Sequence, residues 1–99
     1  MKKFFVVGNP IKHSLSPELH NYWIKQYNLN CQYEKIEASP DDLKNIINNL
    51  KDKTIHGLNI TVPYKQMIIP YLDKLSPEAE LTKSVNTVIF EKEKLYGHN

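Results

Sequence analysis

Apolar residues recur along the chain with two alternating periods, one typical of strands and one typical of helices. A continuous apolar run over Phe4–Val7, closed by Gly8-Asn9-Pro10, predicts a strand covered on both faces. Apolar and polar residues alternate between Thr54 and Val62, which predicts another strand. The clearest helical period consists of four apolar residues at i, i+3, i+4 and i+7: Leu43, Ile46, Ile47 and Leu50. Strands and helices are therefore expected to alternate.

Ser-Pro pairs mark the expected starts of three helices, at Ser16-Pro17, Ser39-Pro40 and Ser76-Pro77. Serine is a favoured N-cap, and proline is favoured at the first helical position. In the helix that follows Ser16, four residues at helical spacing form the expected buried stripe: Leu19, Trp23, Ile24 and Tyr27. This pattern predicts that the first helix lies with that stripe against the sheet.

The remaining segments complete the order of elements. Cys31–Glu37 is a more polar strand that suits a sheet edge. Val85–Phe90, the charged turn Glu91–Lys94 and Leu95–Asn99 predict a hairpin. This order favours an α/β domain with three layers, in which helices cover both faces of a mainly parallel sheet with one antiparallel strand near the C-terminus.

Composition narrows the class of protein. The 99 residues form one domain, and the hydrophobic fraction of 40% and the charged fraction of 24% are ordinary for a globular protein. A net charge of +2 is too small to indicate binding to nucleic acid or to an anionic membrane. No apolar run is long enough to span a bilayer. The single cysteine, Cys31, cannot form an internal disulfide, so we expect a cytoplasmic protein.

The loop between the first strand and the first helix is one candidate binding segment. Ligands of open α/β sheets bind at the carboxyl ends of the strands. The loop brings Ser14 and Ser16 beside a helix N-terminus, which favours an anion such as a carboxylate. From spacing alone, Ser16 is better explained as a helix cap. Ser14 has no capping role to fill, and it is therefore the more informative of the two.

The second candidate segment is Asn59–Lys65. The two-residue period of a strand puts Asn59 and Thr61 on one face, about 7 Å apart. Lys65 falls in the first turn of the next helix, where the helix dipole disfavours a cation and so favours release of its proton. Lys65 is therefore a candidate for proton transfer, the alternative being a lysine that points into water. Asn86 repeats the pattern in the next strand, unless it only satisfies backbone groups.

Other kinds of site are disfavoured. His13 and His20 are seven residues apart without supporting carboxylates, so we expect no metal site. The chain has only three glycines, so neither the G-x-G-x-x-G turn of dinucleotide-binding folds nor the phosphate loop is present. We therefore expect no nucleotide-binding fold within these 99 residues.

Four segments, in order, resemble motifs of the N-terminal substrate-binding domain of shikimate dehydrogenases. Gly8–Pro17 is similar to the opening G-x-P-x-x-H-S-x-S-P loop of that family. Gly57–Lys65 contains its N-(I/V)-T-(I/V)-P-(Y/F/H)-K motif. Val85-Asn86-Thr87 matches V-N-T, and Gly97-His98-Asn99 resembles the start of G-x-N-T-D. The resemblance extends over the whole chain.

The resemblance implies a function in aromatic amino-acid biosynthesis. NADPH reduces 3-dehydroshikimate to shikimate, and the resemblance implies that Ser14 and Ser16 hold the carboxylate of this ligand. Asn59, Thr61 and Asn86 would surround its ring hydroxyls, together with Lys65 as the general acid and base. Serine at both loop positions favours shikimate over quinate by analogy, and a quinate/shikimate dehydrogenase stays an alternative.

Two departures from the family limit this expectation. Lys83-Ser84 stands where the family usually has Gly-Ala, so the approach to Asn86 is expected to differ locally. The catalytic aspartate of the family would fall two residues beyond Asn99, and the NADP-binding domain is absent from this chain. We therefore expect these 99 residues to be a truncated part of a parent enzyme and to be inactive alone. A module that only binds shikimate and a module that self-associates are the alternatives.

Overall fold

A single six-stranded sheet organises the fold. The computed structural model describes residues 2–12 and 14–99, in which the strands are β1 (Lys2–Gly8), β2 (Cys31–Glu37), β3 (Gly57–Ile60), β4 (Lys74–Leu75), β5 (Thr87–Glu91) and β6 (Lys94–His98). The order across the sheet is β2-β1-β3-β5-β6-β4. All neighbours pair in parallel except β5, which is antiparallel to both β3 and β6. The predicted α/β class, with one antiparallel strand near the C-terminus, is confirmed.

Four α-helices lie in the same described residues: α1 (Ser16–Gln26), α2 (Leu43–Lys51), α3 (Tyr64–Met67) and α4 (Pro77–Thr82). Short 3-10 turns at Pro40–Asp42 and Ile69–Tyr71 precede α2 and follow α3. Within the described part of the chain, none of the helices has the length and apolar character needed to cross a membrane.

The main core lies between the sheet and α2. All four residues of the predicted α2 stripe are buried, and they pack with residues of the central strands that include Val7, Leu58 and Ile60. Tyr64 of α3 and Ala79 of α4 join the same cluster. The helical period of α2 thus predicted its buried face correctly because apolar burial is the main force that orients an amphipathic helix.

The opposite face of the sheet is covered by α1, and here the predicted buried stripe is wrong. Leu19, Trp23 and Tyr27 are 57%, 47% and 65% exposed, and only Ile24 of the predicted residues packs against the sheet. The helix is rotated so that a mostly polar face meets β2. The exposed aromatic rings instead stack on one another, with the ring centre of Trp23 lying 5.9 Å from that of Tyr27.

Hydrogen bonds to β2 account for this rotation. The side-chain amide of Asn21 donates to the backbone oxygen of Tyr33 at 2.8 Å and accepts from its backbone N–H at 3.2 Å. One position before Asn21, the ring of His20 stacks on the Tyr33 ring at 4.1 Å. These directional contacts orient α1 in place of an apolar stripe. The predicted position of β2 at a sheet edge is confirmed.

The structure differs from the sequence-based expectation at two strands, β3 and β4. β3 covers only Gly57–Ile60 rather than Thr54–Val62, and Val62 is exposed beyond its end. β4 was not predicted, since two residues are too few to display a period. The predicted hairpin is present, and the two residues of its turn, Lys92 and Glu93, both have positive φ. Two such residues give the turn the twist that an antiparallel hairpin requires.

Candidate active site

The candidate site begins with a row of side chains across three neighbouring strands. Backbone pairing sets Val6 of β1 beside Asn59 of β3, and Asn59 beside Thr87 of β5. Paired residues share a face of the sheet, so these three side chains point to the face that also carries α1. Thr61 continues this face two residues beyond Asn59, as its period predicted.

An open cavity of about 300 Å³ lies over this row. Its lining consists of nine residues from β1, α1, β3, α3 and the start of β5: Val6, Ser16, His20, Asn59, Ile60, Thr61, Lys65, Asn86 and Thr87. Five of the six candidate residues of the sequence analysis are therefore brought together: Ser16, Asn59, Thr61, Lys65 and Asn86. Hydroxyl, amide and ammonium groups in one cavity suit a small ligand with several oxygen atoms.

The loop that follows β1 is in close contact with the segment that follows β3. The backbone N–H of Asn9 donates to the backbone oxygen of Val62 at 3.0 Å. A Cβ at Gly8 would lie 2.4 Å from Cγ2 of Thr61 and 2.9 Å from the same Val62 oxygen. Only glycine therefore fits at the end of β1, and its lack of a side chain lets the loop after β1 approach the segment that carries Thr61.

Lys65 is tied to the segment that carries Asn86. The backbone oxygen of Lys65 accepts a hydrogen bond from the backbone N–H of Val85 at 2.9 Å, and the Lys65 side chain is half-buried. Asn86 is the next residue after Val85, so this bond sets the lysine and the amide side by side. The half-buried side chain favours the interpretation in which Lys65 faces the cavity over the one in which it points into water.

The serine loop differs from the prediction in one respect. Leu15, not Ser16, occupies the N-cap position, and Ser16 is the first residue of α1 without a side-chain cap bond. The hydroxyl of Ser14 instead accepts the backbone N–H of Ser16 at 3.3 Å. The interpretation of Ser16 as the helix cap is therefore wrong, whereas Ser14 forms a local bond within the turn that leads into α1. Ser16 lines the cavity, whereas Ser14 is not one of its lining residues.

The substitution of Lys83-Ser84 for Gly-Ala has a local structural consequence. Lys83 ends α4 in the left-handed conformation, with φ of 54° and ψ of 42°. Glycine adopts this conformation without steric cost, which explains why it is suited to that position. Asn86, three residues later, still lines the cavity.

Three residues of this region were not predicted to take part in ligand binding: His20, Tyr33 and Thr87. His20 lies one helical turn after Ser16 and its Nδ1 is 2.8 Å from the Ser16 backbone oxygen, so helical spacing from Ser16 could have found it. Thr87 directly follows Asn86. Tyr33 is distant in sequence from the motifs and reaches them only through the pairing of β2 with β1. Burial raises the pKa of the Tyr33 hydroxyl to about 12.

Next to the polar cavity lies a more apolar one of about 290 Å³, which shares His20, Asn59 and Thr87 with it.

His13, which belongs to the first motif, lies outside the described residues. Among residues 2–12 and 14–99, no group of three or more histidine, cysteine, aspartate or glutamate side chains is placed to hold a metal ion.

Comparison with known proteins decides the family. Residues 6–88 match the family described as the shikimate dehydrogenase substrate binding domain. The chain belongs to this family. The resemblance found in the four motifs is thereby confirmed.

Members of the shikimate dehydrogenase family are similar to this chain over its whole length. Shikimate dehydrogenase (NADP(+)) of Pelagibacter ubique is 56% identical over 98 residues, which are 99% of this chain and 37% of the relative. The crystal structure of shikimate 5-dehydrogenase from Listeria monocytogenes in complex with shikimate and NAD is 37% identical, with a TM-score of 0.92 over 99% of this chain and 34% of that one.

The shikimate 5-dehydrogenase of Thermus thermophilus, solved in complex with NADP(H) and shikimate, is similar at 33% identity. Its TM-score is 0.91, over 100% of this chain and 38% of that protein. The chain thus spans little more than a third of the length of the relatives that it matches.

Proposed function

We propose that residues 1–99 are the substrate-binding part of an NADP-dependent shikimate dehydrogenase of the cytoplasm, which reduces 3-dehydroshikimate to shikimate. The observation that carries the proposal is the meeting of Ser16, Asn59, Thr61, Lys65 and Asn86 in one cavity. Relatives that carry this activity in their names, and similar structures described as complexes with shikimate, support it.

The proposed roles follow from the chemistry of each group. Ser14 and Ser16, at the N-terminus of α1, bind the ligand carboxylate, since the first N–H groups and the dipole of the helix favour an anion there. Asn59, Thr61 and Asn86 bind the ring hydroxyls through amide and hydroxyl groups.

Lys65 supplies the proton in the proposed reaction. When the 3-keto group is reduced, negative charge develops on its oxygen, and an ammonium within hydrogen-bonding reach stabilises that charge and donates a proton. The nicotinamide cofactor supplies the hydride. The three glycines of this chain, Gly8, Gly57 and Gly97, lie in β1, β3 and β6, so no glycine-rich phosphate turn is present and the cofactor is bound outside these residues.

Ligand binding is tested on the chain itself. Titration of the ¹⁵N-labelled chain with shikimate is expected to shift backbone amides at residues 14–16, 59–65 and 86–87. Lys65→Met should weaken binding about tenfold because it removes a hydrogen bond from a charged donor. Lys74→Met, at an exposed lysine of β4, is the matched control. Shifts spread over unrelated surfaces, or none at millimolar ligand, would contradict the proposal.

A parallel titration addresses the quinate alternative. Quinate resembles shikimate in its carboxylate and hydroxyls, so a quinate/shikimate dehydrogenase should bind both with similar affinity. We expect the serine loop to favour shikimate. Equal shifts at equal concentrations of the two ligands would instead support the broader specificity.

Catalysis is tested by exchange with a relative. The chain alone, mixed with NADPH and 3-dehydroshikimate, is expected to give no turnover. When residues 1–99 replace the matching part of the Pelagibacter ubique enzyme, NADPH consumption should be retained. Lys65→Met in that chimera should lower kcat by about 10² to 10⁴, the usual contribution of a general acid. A fully active Lys65→Met chimera would exclude the role given to Lys65.

Self-association is a second candidate role, favoured by the exposed apolar side chains of α1. An apolar helix face in water promotes pairing with a second copy. Sedimentation velocity over a range of concentrations tests this, with Trp23→Lys expected to restore the monomer. Leu81→Lys on α4 is the control, since Leu81 is 85% exposed and lies on another helix. A concentration-independent monomer would remove this role.

A further inference from the structure

Two asparagines of the cavity belong to a continuous chain of hydrogen bonds. The hydroxyl of Tyr33 donates to Oδ1 of Asn59 at 2.6 Å, and Nδ2 of Asn59 donates to Oγ1 of Thr87 at 3.2 Å. The Thr87 hydroxyl in turn donates to Oδ1 of Asn86 at 3.1 Å. Asn59 and Thr87 therefore each accept from one neighbour and donate to the next.

The chain continues away from the cavity. Nδ2 of Asn86 donates to Oδ1 of Asn99 at 3.0 Å, and Nδ2 of Asn99 donates to Oγ1 of Thr82 at 2.9 Å. The Thr82 hydroxyl ends the chain by donating to the backbone oxygen of Glu78 at 2.8 Å.

Backbone carbonyls fix the direction of the chain. Nδ2 of Asn59 also donates to the backbone oxygen of Asn86 at 3.2 Å. A carbonyl oxygen only accepts, so a flipped Asn59 amide would set two oxygens against each other. At the far end the backbone oxygen of Glu78 can only accept, so the Thr82 hydroxyl donates its proton there. The oxygen of that hydroxyl is then left to accept from Asn99. The groups between these carbonyls then have one consistent arrangement.

Tyr33 suits the donor end of this chain. Its side chain is almost fully buried, and burial raises the pKa of its hydroxyl to about 12. The hydroxyl therefore keeps its proton throughout the neutral range. The stacked His20 ring covers the Tyr33 ring from the side of α1.

We propose that Tyr33 and Thr87 are positioning residues that hold the amides of Asn59 and Asn86 in one orientation toward a polyhydroxylated ligand. The identity of that ligand, shikimate, rests on the proposed function. Both N–H groups of Asn59 are already used, so Asn59 presents a carbonyl lone pair to the ligand. Asn86 keeps one N–H group for donation. The cavity thus distinguishes a ligand hydroxyl that donates from one that accepts.

The test compares four variants by two measurements. Thr87→Val removes the hydroxyl and keeps the branched shape, whereas Thr87→Ser keeps the hydroxyl. Tyr33→Phe removes the first donor, and Tyr64→Phe is its control, because Tyr64 is also buried and donates to the backbone oxygen of Ala38. The first measurement follows the side-chain NH₂ signals of Asn59 and Asn86 in the ligand-free protein. The second is the affinity for shikimate.

Thr87→Val is expected to move the NH₂ signals of both asparagines toward their values in unfolded peptides and to weaken shikimate binding about tenfold. Tyr33→Phe should move those of Asn59 first. Thr87→Ser and Tyr64→Phe should keep both the signals and the affinity within about twofold of the original. If Thr87 had a purely structural role, Thr87→Val would lower the stability of the protein, and Thr87→Ser would not restore the NH₂ signals and the affinity.

The outcomes separate this proposal from the proposed function. If the unmodified chain binds no shikimate, the proposed function fails, and the NH₂ signals of the ligand-free variants still decide the positioning. If the chain binds shikimate and both Thr87→Val and Tyr33→Phe leave signals and affinity unchanged, the positioning role is overturned. If Thr87→Val does not fold, the comparison of Tyr33→Phe with Tyr64→Phe decides in the same way.

Discussion

Gly8 is the residue at which the two binding loops touch. A methyl group there would lie 2.4 Å from Cγ2 of Thr61 and 2.9 Å from the backbone oxygen of Val62, and the second contact is relieved only if the backbone moves. Gly8→Ala is therefore expected to lower the free energy of unfolding by about 2 to 3 kcal/mol, as overpacking of a tight interior does. Urea denaturation measures this loss.

Gly57→Ala serves as the control for that prediction. Its Cβ would meet only the edge of the Phe4 ring, at 2.9 Å, and a half-buried ring moves more easily than backbone. The loss at Gly57 should be smaller. Equal losses at the two glycines would show that the atoms around Gly8 move aside as easily as the Phe4 ring.

Tyr33 gives the stability a dependence on alkaline pH. Burial raises its pKa from 10.0 to about 12, so the folded protein keeps a proton that the unfolded chain loses. The resulting stability is fully present below pH 10 and is lost as the pH rises through 12. The difference in unfolding free energy between the original chain and Tyr33→Phe should therefore shrink between neutral pH and a pH midway between those values. A difference independent of pH would contradict this.

The spacing of residues along strands and helices was enough to predict those polar site residues that lie in one continuous segment. Asn59, Thr61 and Lys65 follow one another in a single strand–turn–helix segment, so their common direction was visible in the sequence. Tyr33 was not, because its contact with Asn59 depends on the register of β1 with β2 and β3. Long-range register is decided by packing and leaves no local pattern.

At the scale of secondary structure, the end of α4 carries a conformational cost. Lys83 has φ of 54°, which costs a residue with a side chain about 1 kcal/mol. Lys83→Gly is therefore expected to raise the free energy of unfolding by about 1 kcal/mol. Lys44→Gly is the matched control and should lower it by a similar amount, since Lys44 is an exposed position inside α2. Thermal unfolding of both variants checks the opposite signs.

The two long helices explain why prediction succeeded for one and failed for the other. In α2 the apolar period and the buried face coincide, so the sequence alone predicted all four buried residues. In α1 the apolar residues at four-residue spacing face outward. The hydrogen bonds of Asn21 to β2 decided the orientation, and a single asparagine carries no periodic pattern from which they could be foreseen.

At the scale of the whole molecule, the two faces of the sheet differ in how firmly they are covered. α2 buries four apolar residues, whereas α1 buries none among its described side chains. Local opening should therefore cost less free energy for α1 than for α2. Native-state hydrogen exchange is expected to show faster exchange at the backbone amides of α1. Equal protection of both helices would mean that the polar contacts of α1 hold it as firmly as a core does.

The amide of Asn21 has a further consequence when many copies of the protein share a concentrated solution. At the outer border of β2 it occupies the N–H and the oxygen of Tyr33, the groups that an incoming strand from another molecule would use. The opposite border ends in β4, which is two residues long. Because Tyr33 lies in the interior of β2, its contact with Asn21 interrupts the free ladder of the β2 border and opposes the addition of a strand there, even though the neighbouring helix carries exposed aromatic rings.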